Sequence, residues 1–284
     1  MRRLPIIIAA SLLLVGAGMQ AQTASRLCRL SDGEQVSEIS STLGNLKDSL
    51  GLGGPAVENS YMGLRLFFDD SGAIDLYSKS GRGLELEKYA WAPDSLAVAE
   101  YEAGGDFLDE GQTLGLGGIA LFDGEKMVRL VATRGRSARV GTTSKGSFAE
   151  IVSKGVLCCG ESVDVLVRVD VSTKKRDAWV TARVLNGEKV RFVTGLTCPQ
   201  GQAAKTGKGV ISVWGKGRQP WREVSVGIGL FYSEGVFGTP ERADGMMRII
   251  SKPSTQISFR IVGASSLEAE LNSARRFETY MGVL

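Results

Sequence analysis

Strict alternation of apolar and polar residues is the feature that most constrains the fold of this chain. In 163–170 four valines occupy every second position, and 224–231 alternates in the same way. A period of two places successive side chains on opposite faces of the backbone, as in a half-buried β-strand. Shorter segments of the same character are 61–68, 73–77, 119–122, 126–132, 178–185, 188–194, 246–250 and 256–262. The sequence therefore predicts roughly ten to twelve strands.

Tight turns separate these segments. The chain contains 37 glycines and only 7 prolines in 284 residues, and this is about twice the average use of glycine. Asn186 and Gly187 lie between two strand-like segments, 178–185 and 188–194. Because this dipeptide tolerates two positive φ angles, we expect a type I′ hairpin there.

Two segments near the chain ends have a period near 3.6 instead. The first spans 32–48 and is stopped by a glycine-rich stretch, and the second spans 265–280. Apolar residues at spacings of three and four predict an amphipathic helix in each. These residues are Val36, Ile39, Leu43 and Leu46 in the first segment and Leu267, Leu271, Ala274 and Phe277 in the second.

We therefore predict a mainly β protein with short helices at both termini. A run of strands without intervening helices is typical of an antiparallel two-sheet sandwich of the jelly-roll type. The predicted divisions are a signal peptide in 1–21, an N-terminal helical segment in 22–55, a β-sandwich domain in 56–264 and a C-terminal amphipathic helix in 265–284.

Three stretches of the predicted domain resemble the concanavalin-like and laminin-G-like β-sandwich families. They are 118–136, with a strand, an Asp-Gly turn and a second strand; 163–190, a strand meander; and 224–250, near the end of the domain. The resemblance implies a sandwich fold. These families include lectins, glycosidases and protein-binding modules, so the resemblance does not select one function.

The first residues have the order of a secretory signal peptide. Arg2 and Arg3 precede the apolar run 4–18, and small and polar residues follow in 19–24. The run is shorter than the about 18 residues of a typical transmembrane helix. We expect cleavage after Ala21 or Ala24; an uncleaved anchor is the alternative.

This leader resembles bacterial signals and predicts an exported protein. The compartment would be the periplasm, the outer-membrane surface or the medium. No later apolar segment approaches the length of a transmembrane helix, so we expect no transmembrane span in the mature chain.

The absence of histidine excludes several kinds of chemistry. The 284 residues contain no His, so Ser-His-Asp and Cys-His catalysis and His-ligated metal or haem sites are excluded. The chain has 34 basic and 31 acidic residues, and loss of Arg2 and Arg3 leaves one net positive charge. This balance argues against nucleic acid as a partner.

The cysteines predict disulfides. Cys28, Cys158, Cys159 and Cys198 form an even set, and an exported protein meets an oxidising environment. Neighbouring residues of a strand point to opposite faces, so Cys158 and Cys159 are expected to bond Cys28 and Cys198. A strained bridge between Cys158 and Cys159 is the alternative.

Glu85 and Glu87 are the candidate catalytic pair. In a strand they would project from one face about 7 Å apart, near the about 5–5.5 Å of a retaining glycosidase. Concanavalin-like glycosidases carry a longer acidic motif, ExDxxE, from which GLELEKY departs. The alternative is a solvated strand face.

Loop carboxylates offer a candidate calcium site. Asp106, Asp109 and Glu110 supply the oxygen ligands that Ca²⁺ prefers. Laminin-G-like domains often hold calcium at loop aspartates, but this chain has no specific motif of that kind, and the alternative is acids that face water. No other cofactor is predicted.

Aromatic residues near a basic loop offer a candidate glycan site. Trp214 and Trp221 flank a glycine-rich segment that holds Lys216 and Arg218, and Trp91 lies in a second aromatic cluster. Aromatic faces stack on sugar rings, and the cations can contact acidic groups. The alternative is that these aromatic residues belong to the rim of the core.

The predicted function is binding rather than catalysis. The first hypothesis is an exported non-enzymatic β-sandwich that binds a glycan or an envelope protein in the bacterial cell envelope. The second is a carboxylate-dependent glycoside hydrolase on a concanavalin-like fold. The third is a structural accessory subunit of an envelope complex, which would expose an apolar patch.

Overall fold

The computed structural model describes residues 22–88, 103–218 and 222–284. The protein is mainly β, as predicted, and its strands pair in antiparallel ladders within three sheets of the described residues. None of the helices in these ranges combines the length and the hydrophobicity of a transmembrane segment.

The sheets are named I, II and III, and their strands are numbered along the chain. Sheet I contains, in spatial order, β1 (Ala24–Arg26), β3 (Ala56–Glu58), β4 (Met62–Leu66), β5 (Ile74–Ser78) and β6 (Gly105–Asp106). Sheet II contains β14 (Ala204–Gly207), β15 (Val210–Lys216), β16 (Ser225–Phe231), β19 (Gln256–Ser265), β12 (Ala178–Val184), β11 (Glu161–Ser172), β10 (Gly146–Cys158), β9 (Arg136–Thr143) and β2 (Glu38–Ser41). Sheet III contains β17 (Glu241–Ala243), β18 (Met246–Ile250), β13 (Arg191–Thr197), β7 (Ala120–Phe122) and β8 (Met127–Val128).

Sheets I and III both pack on sheet II. Strands β3 and β4 contact β10, and β13 contacts β15 and β16. Alternation explains the contact, because Ile74 and Leu76 on β5 enter the main hydrophobic core, while Asp75 between them faces the other way. Isolated bridges from Ile74 to Gly115 and from Leu116 to Leu196 connect sheets I and III.

The turn at Asn186 and Gly187 does not form the predicted hairpin. Strand β12 pairs with β11 and β19, whereas β13 pairs with β7 and β18. Gly187 has a φ of 86°, but Asn186 is not among the described residues with positive φ, so the two positive angles of a type I′ turn are not present. The turn instead carries the chain from sheet II to sheet III.

The helix predicted over 32–48 is wrong. This segment contains β2, which pairs with β9 at the edge of sheet II, and a short 3-10 helix, Lys47–Ser49. Ile39 packs against the main core, while Leu43 is 83% exposed. Pairing with a distant strand satisfies the backbone groups of β2, and helical spacing alone does not reveal that partner.

The C-terminal helix is present but shorter than predicted. Helix α1 (Ala274–Met281) begins after β19 has ended and a turn has intervened. Phe277 and Met281 are buried against β15 and β16. The helix ends at Gly282, whose φ of 72° is the left-handed conformation that glycine adopts readily.

Candidate functional site

A buried ion pair links β4 and β5 on the face of sheet I that points away from sheet II. Arg65 and Asp75 are directly opposed in the ladder. Arg65 donates to Asp75 Oδ2 from Nε at 3.0 Å and from Nη2 at 2.6 Å. The Asp75 side chain is fully buried, so a charged partner within hydrogen-bonding distance offsets part of its desolvation cost.

Asp106 and Glu110 extend this pair into a carboxylate cluster. The carboxylate oxygens of Asp75, Asp106 and Glu110 lie within 4.8 Å of one another. Arg65 Nη2 lies 3.3 Å from Asp106 Oδ2. Arg218 also donates to Asp106 and places Nη1 3.6 Å from Glu110 Oε2. We call Asp75, Asp106 and Glu110 the carboxylate cluster.

Burial raises the pKa values of two members of this cluster, Asp75 and Asp106. Desolvation raises the pKa of Asp75 to about 6, against the opposing charge of Arg65. Desolvation and the neighbouring Asp75 raise the pKa of Asp106 to about 8, against Arg65 and Arg218. Groups with such shifted pKa values occur often in functional sites and also in structural ion-pair networks.

A cavity of about 200 Å³ adjoins the cluster, and we call it the Lys216 cavity. The backbone N–H of Arg218 donates to Phe107 O, which brings the loop after β15 onto the loop after β6. The apolar part of the lining includes Phe107, Val213, Val226 and Ile228, and the polar part includes Asp109, Gln202, Lys216 and Arg218. Two candidate motifs from distant parts of the sequence therefore meet at one cavity.

The predicted calcium ligands are only partly brought together. Asp106 and Glu110 belong to the carboxylate cluster, and the third member is Asp75, whereas Asp109 is exposed and lines the Lys216 cavity. Arg65 and Arg218 already contact the carboxylates. A divalent cation would have to displace a guanidinium group, so this donor set does not fit Ca²⁺.

Glu85 and Glu87 are not a strand pair. They lie in a loop and turn after β5. Glu85 Oε2 accepts from the Tyr77 hydroxyl at 3.0 Å and from Gly104 N at 2.8 Å, and burial raises its pKa. Glu87 is exposed and lines a separate cavity of about 280 Å³. The strand assumed for a glycosidase pair is therefore wrong.

Glu58 holds this loop against sheet I. Its carboxylate accepts from Glu85 N at 2.8 Å, from Leu86 N at 3.0 Å and from Lys79 Nζ at 2.5 Å. Desolvation lowers the pKa of Lys79, while Glu58 opposes that change. The loop geometry around Glu85 therefore depends on a buried charge pair.

Trp214 is not among the residues that line the Lys216 cavity. Trp214 lies on β15 and packs against Phe277 of α1, with ring centroids 5.7 Å apart. Its neighbours Val213 and Gly215 line the cavity, and alternation points Trp214 to the other face. The structure thus places Trp214 at the rim of a small core, and Trp91 and Trp221 lie outside the described residues.

The cysteines are not arranged as expected. All four are free in the structure, and Cys159 is exposed. Cys28 Sγ donates to Arg29 O and Cys198 Sγ to Gln202 O. The sulfur in contact with Cys158 is that of Cys159, at 3.7 Å. The predicted bridges from Cys158 and Cys159 to Cys28 and Cys198 are not formed.

Sequence reasoning missed Arg65 and Asp75. Both are single charges within otherwise apolar strand segments, on either side of the turn in 69–72. In a hairpin they fall opposite one another, and opposite charges in that position attract. This pattern could have identified the pair, whereas the contacts of Arg218 depend on long-range packing.

Fold and site together define a mainly β protein with a small polar-rimmed cavity beside a buried carboxylate cluster. The chain belongs to the DUF4861 family, described as a domain of unknown function, whose family model matches residues 17–283. No curated protein matches this chain.

One solved structure with some similarity is the 4-alpha-glucanotransferase from Thermococcus litoralis. The TM-score is 0.34 at 11% sequence identity, over 75% of this chain and 39% of the enzyme. The chain therefore spans well under half of that enzyme.

Proposed function

We propose that this protein is an exported, non-enzymatic β-sandwich of the bacterial cell envelope that binds one sugar unit of a glycan in the Lys216 cavity. The proposed sandwich has sheet II as one layer and sheets I and III as the other. The packing of β3 and β4 on β10, and of β13 on β15 and β16, supports this architecture. The leader in 1–21 supports export.

The observation that carries the proposal is the lining of the cavity. Apolar side chains such as Val213 and Ile228 lie below a polar rim that includes Asp109, Gln202 and Lys216. A sugar has apolar C–H faces and hydroxyl edges, and it needs both kinds of contact. The volume of about 200 Å³ is below the about 300–1,000 Å³ of typical ligand sites, which suits a single sugar unit.

A glycan suits the available surfaces better than a protein partner bound through the C-terminal helix. The apolar side of α1 is already used, because Phe277 and Met281 pack against β15 and β16. The accessory-subunit hypothesis predicts an exposed apolar patch, and a patch formed by this helix therefore has less support.

Calorimetric titration with neutral and uronic-acid oligosaccharides tests the proposal. We expect at least one of these glycans to bind, and Lys216→Ala to weaken its binding about tenfold or more, because a hydrogen bond to a charged group contributes about 1.5–3 kcal/mol. Lys145→Ala removes an exposed lysine in the turn between β9 and β10 and should bind like the wild type. Failure of every glycan to bind, or equal affinity of the Lys216→Ala variant, contradicts the proposal.

Glycoside hydrolysis is the second candidate function, now at the carboxylate cluster. The pKa values of about 6 for Asp75 and about 8 for Asp106 favour it, because a carboxyl that keeps its proton near neutral pH can act as a general acid. Asp106 is only 2% exposed, so a substrate would reach it only after Arg218 moves. Glycan cleavage by the wild type that is lost in Asp106→Asn would support hydrolysis and contradict the non-enzymatic proposal.

A further inference from the structure

The turn between β10 and β11 holds two cysteines in an unusual position. Strand β10 ends at Cys158, which is paired with Glu161 at the start of β11. The residues between them, Cys159 and Gly160, have φ angles of 53° and 83°. Two positive angles in a two-residue loop are typical of a type I′ turn, whose first position favours Asn, Asp or Gly.

A second two-residue turn in the same chain has a residue that the first loop position favours. Ala243 pairs with Met246 across the hairpin of β17 and β18. The loop residues Asp244 and Gly245 have φ angles of 53° and 73°. Cys159 thus occupies the position that Asp244 occupies there, although a cysteine gains nothing from the left-handed conformation.

The strained conformation places two sulfur atoms side by side. Cys158 Sγ lies 3.7 Å from Cys159 Sγ, and Cys159 Sγ lies 3.6 Å from Asp123 O. Both cysteines line a cavity of about 240 Å³ whose rim also includes Lys189 and Arg191. Cys158 is buried and Cys159 is exposed, so an external reagent meets Cys159 first.

We propose that Cys158 and Cys159 form a redox-active vicinal dithiol that exchanges with low-molecular-weight disulfides and closes into a disulfide across the turn. The thiolate of Cys159 attacks the external disulfide, forms a mixed disulfide and releases one thiol. Cys158 then loses its proton and attacks the Cys159 sulfur, which releases the second thiol. Two cysteine thiols are oxidised, and one external disulfide is reduced to two thiols.

The bond so formed belongs to the labile class of disulfides. Adjacent Cα atoms are about 3.8 Å apart, whereas most disulfides join Cα atoms about 4.4–6.8 Å apart. A strained bond is reduced more easily than a structural one. Burial raises the pKa of the Cys158 thiol to about 12, so closure of the ring should be faster at higher pH. This inference is independent of glycan binding.

Tryptic peptide mapping of the full chain tests the proposal. The protein is equilibrated with mixtures of oxidised and reduced glutathione, alkylated and digested without reduction. Cleavage after Lys154 and Arg168 gives one peptide, 155–168, with both cysteines, whereas Cys28 and Cys198 fall in other peptides. We expect this peptide to lose two hydrogen atoms and to recover them in reduced glutathione.

Two variants and a second probe complete the experiment. Cys159→Asn introduces a residue that the type I′ turn favours, so this variant should fold, and its 155–168 peptide should no longer lose two hydrogen atoms. The 155–168 peptide of Cys28→Ser should still lose them. Phenylarsine oxide, which binds two neighbouring thiols with release of water, should bind the reduced wild type and not Cys159→Asn. Cross-linking of 155–168 to the Cys28 or Cys198 peptide, or complete alkylation of both cysteines in every mixture, overturns the proposal.

Discussion

At the scale of single residues, Asp106 is a buried carboxyl that has both positively and negatively charged neighbours. Its carboxyl is buried between Arg65 and Arg218 and beside Asp75. The pKa of Asp106 stays raised at about 8, so the two arginines do not fully offset the cost of removing its charge from water. A buried ion pair of this kind therefore does not guarantee net stabilisation.

The raised pKa of Asp106 predicts a pH-dependent stability. The folded state keeps the proton that the unfolded chain releases near pH 4, so the free energy of unfolding should fall as the pH rises from about 4 to about 8. The greatest slope for one proton is about 1.4 kcal/mol per pH unit. Asp106→Asn removes this titration, and its curve of unfolding free energy against pH should be flatter than that of the wild type.

Urea denaturation between pH 4.5 and pH 8 measures this difference. Asp109→Asn is the matched control, because Asp109 is exposed and is expected to leave the wild-type curve unchanged. Parallel curves for the wild type and Asp106→Asn would contradict the raised pKa.

At the scale of elements, the contact of α1 with sheet II depends on a few large side chains. Phe277 is fully buried and lies against the ring of Trp214. Gly227 makes room on β16, because a Cβ there would lie 2.5 Å from Trp214 Cε3 and 3.0 Å from Phe277 Cδ1. The small and large residues therefore fit together across this contact.

Phe277→Ala should loosen α1 from the sheet. Removal of a buried phenylalanine side chain costs about 3–5 kcal/mol, and the helix has only eight residues, which is too short to persist alone. We expect a lower urea midpoint and faster tryptic cleavage after Arg275 and Arg276. Tyr280→Ala, at a 43% exposed ring on the same helix, should lose about 1 kcal/mol or less. Equal loss in both variants would contradict this role of Phe277.

The positions of single strands could be predicted from the sequence better than the strands with which they pair. The segments 246–250 and 178–185 match β18 and β12 to within a residue, because alternation is a local signal. The partners of β12 and β13 depend on packing between sheets, so the local Asn-Gly signal does not reveal that the two strands beside it join different sheets. The carboxylate cluster was found only in part for the same reason, since Asp75 and Asp106 come from different strands.

At the scale of the whole molecule, the proposed cleavage of the leader must be compatible with the fold. Ala24 pairs with Glu58 at the edge of sheet I, and Thr23 Oγ1 accepts a hydrogen bond from Ser147 Oγ at 2.9 Å. Cleavage after Ala24 would remove both contacts and place the new charged terminus within β1. Cleavage after Ala21 would keep the strand intact.

We therefore predict that export leaves Gln22 as the first residue. The full chain, expressed in a bacterium that exports it, should yield an intact mass that corresponds to 22–284 in the exported fraction. Arg2→Glu together with Arg3→Glu removes the positive start of the leader and should retain the uncleaved chain in the cell. A mature chain that begins at Ser25 would show that the contacts of Ala24 and Thr23 are dispensable. An uncleaved chain in the membrane fraction would show that the leader is an anchor, and the protein would then be tethered through 4–18.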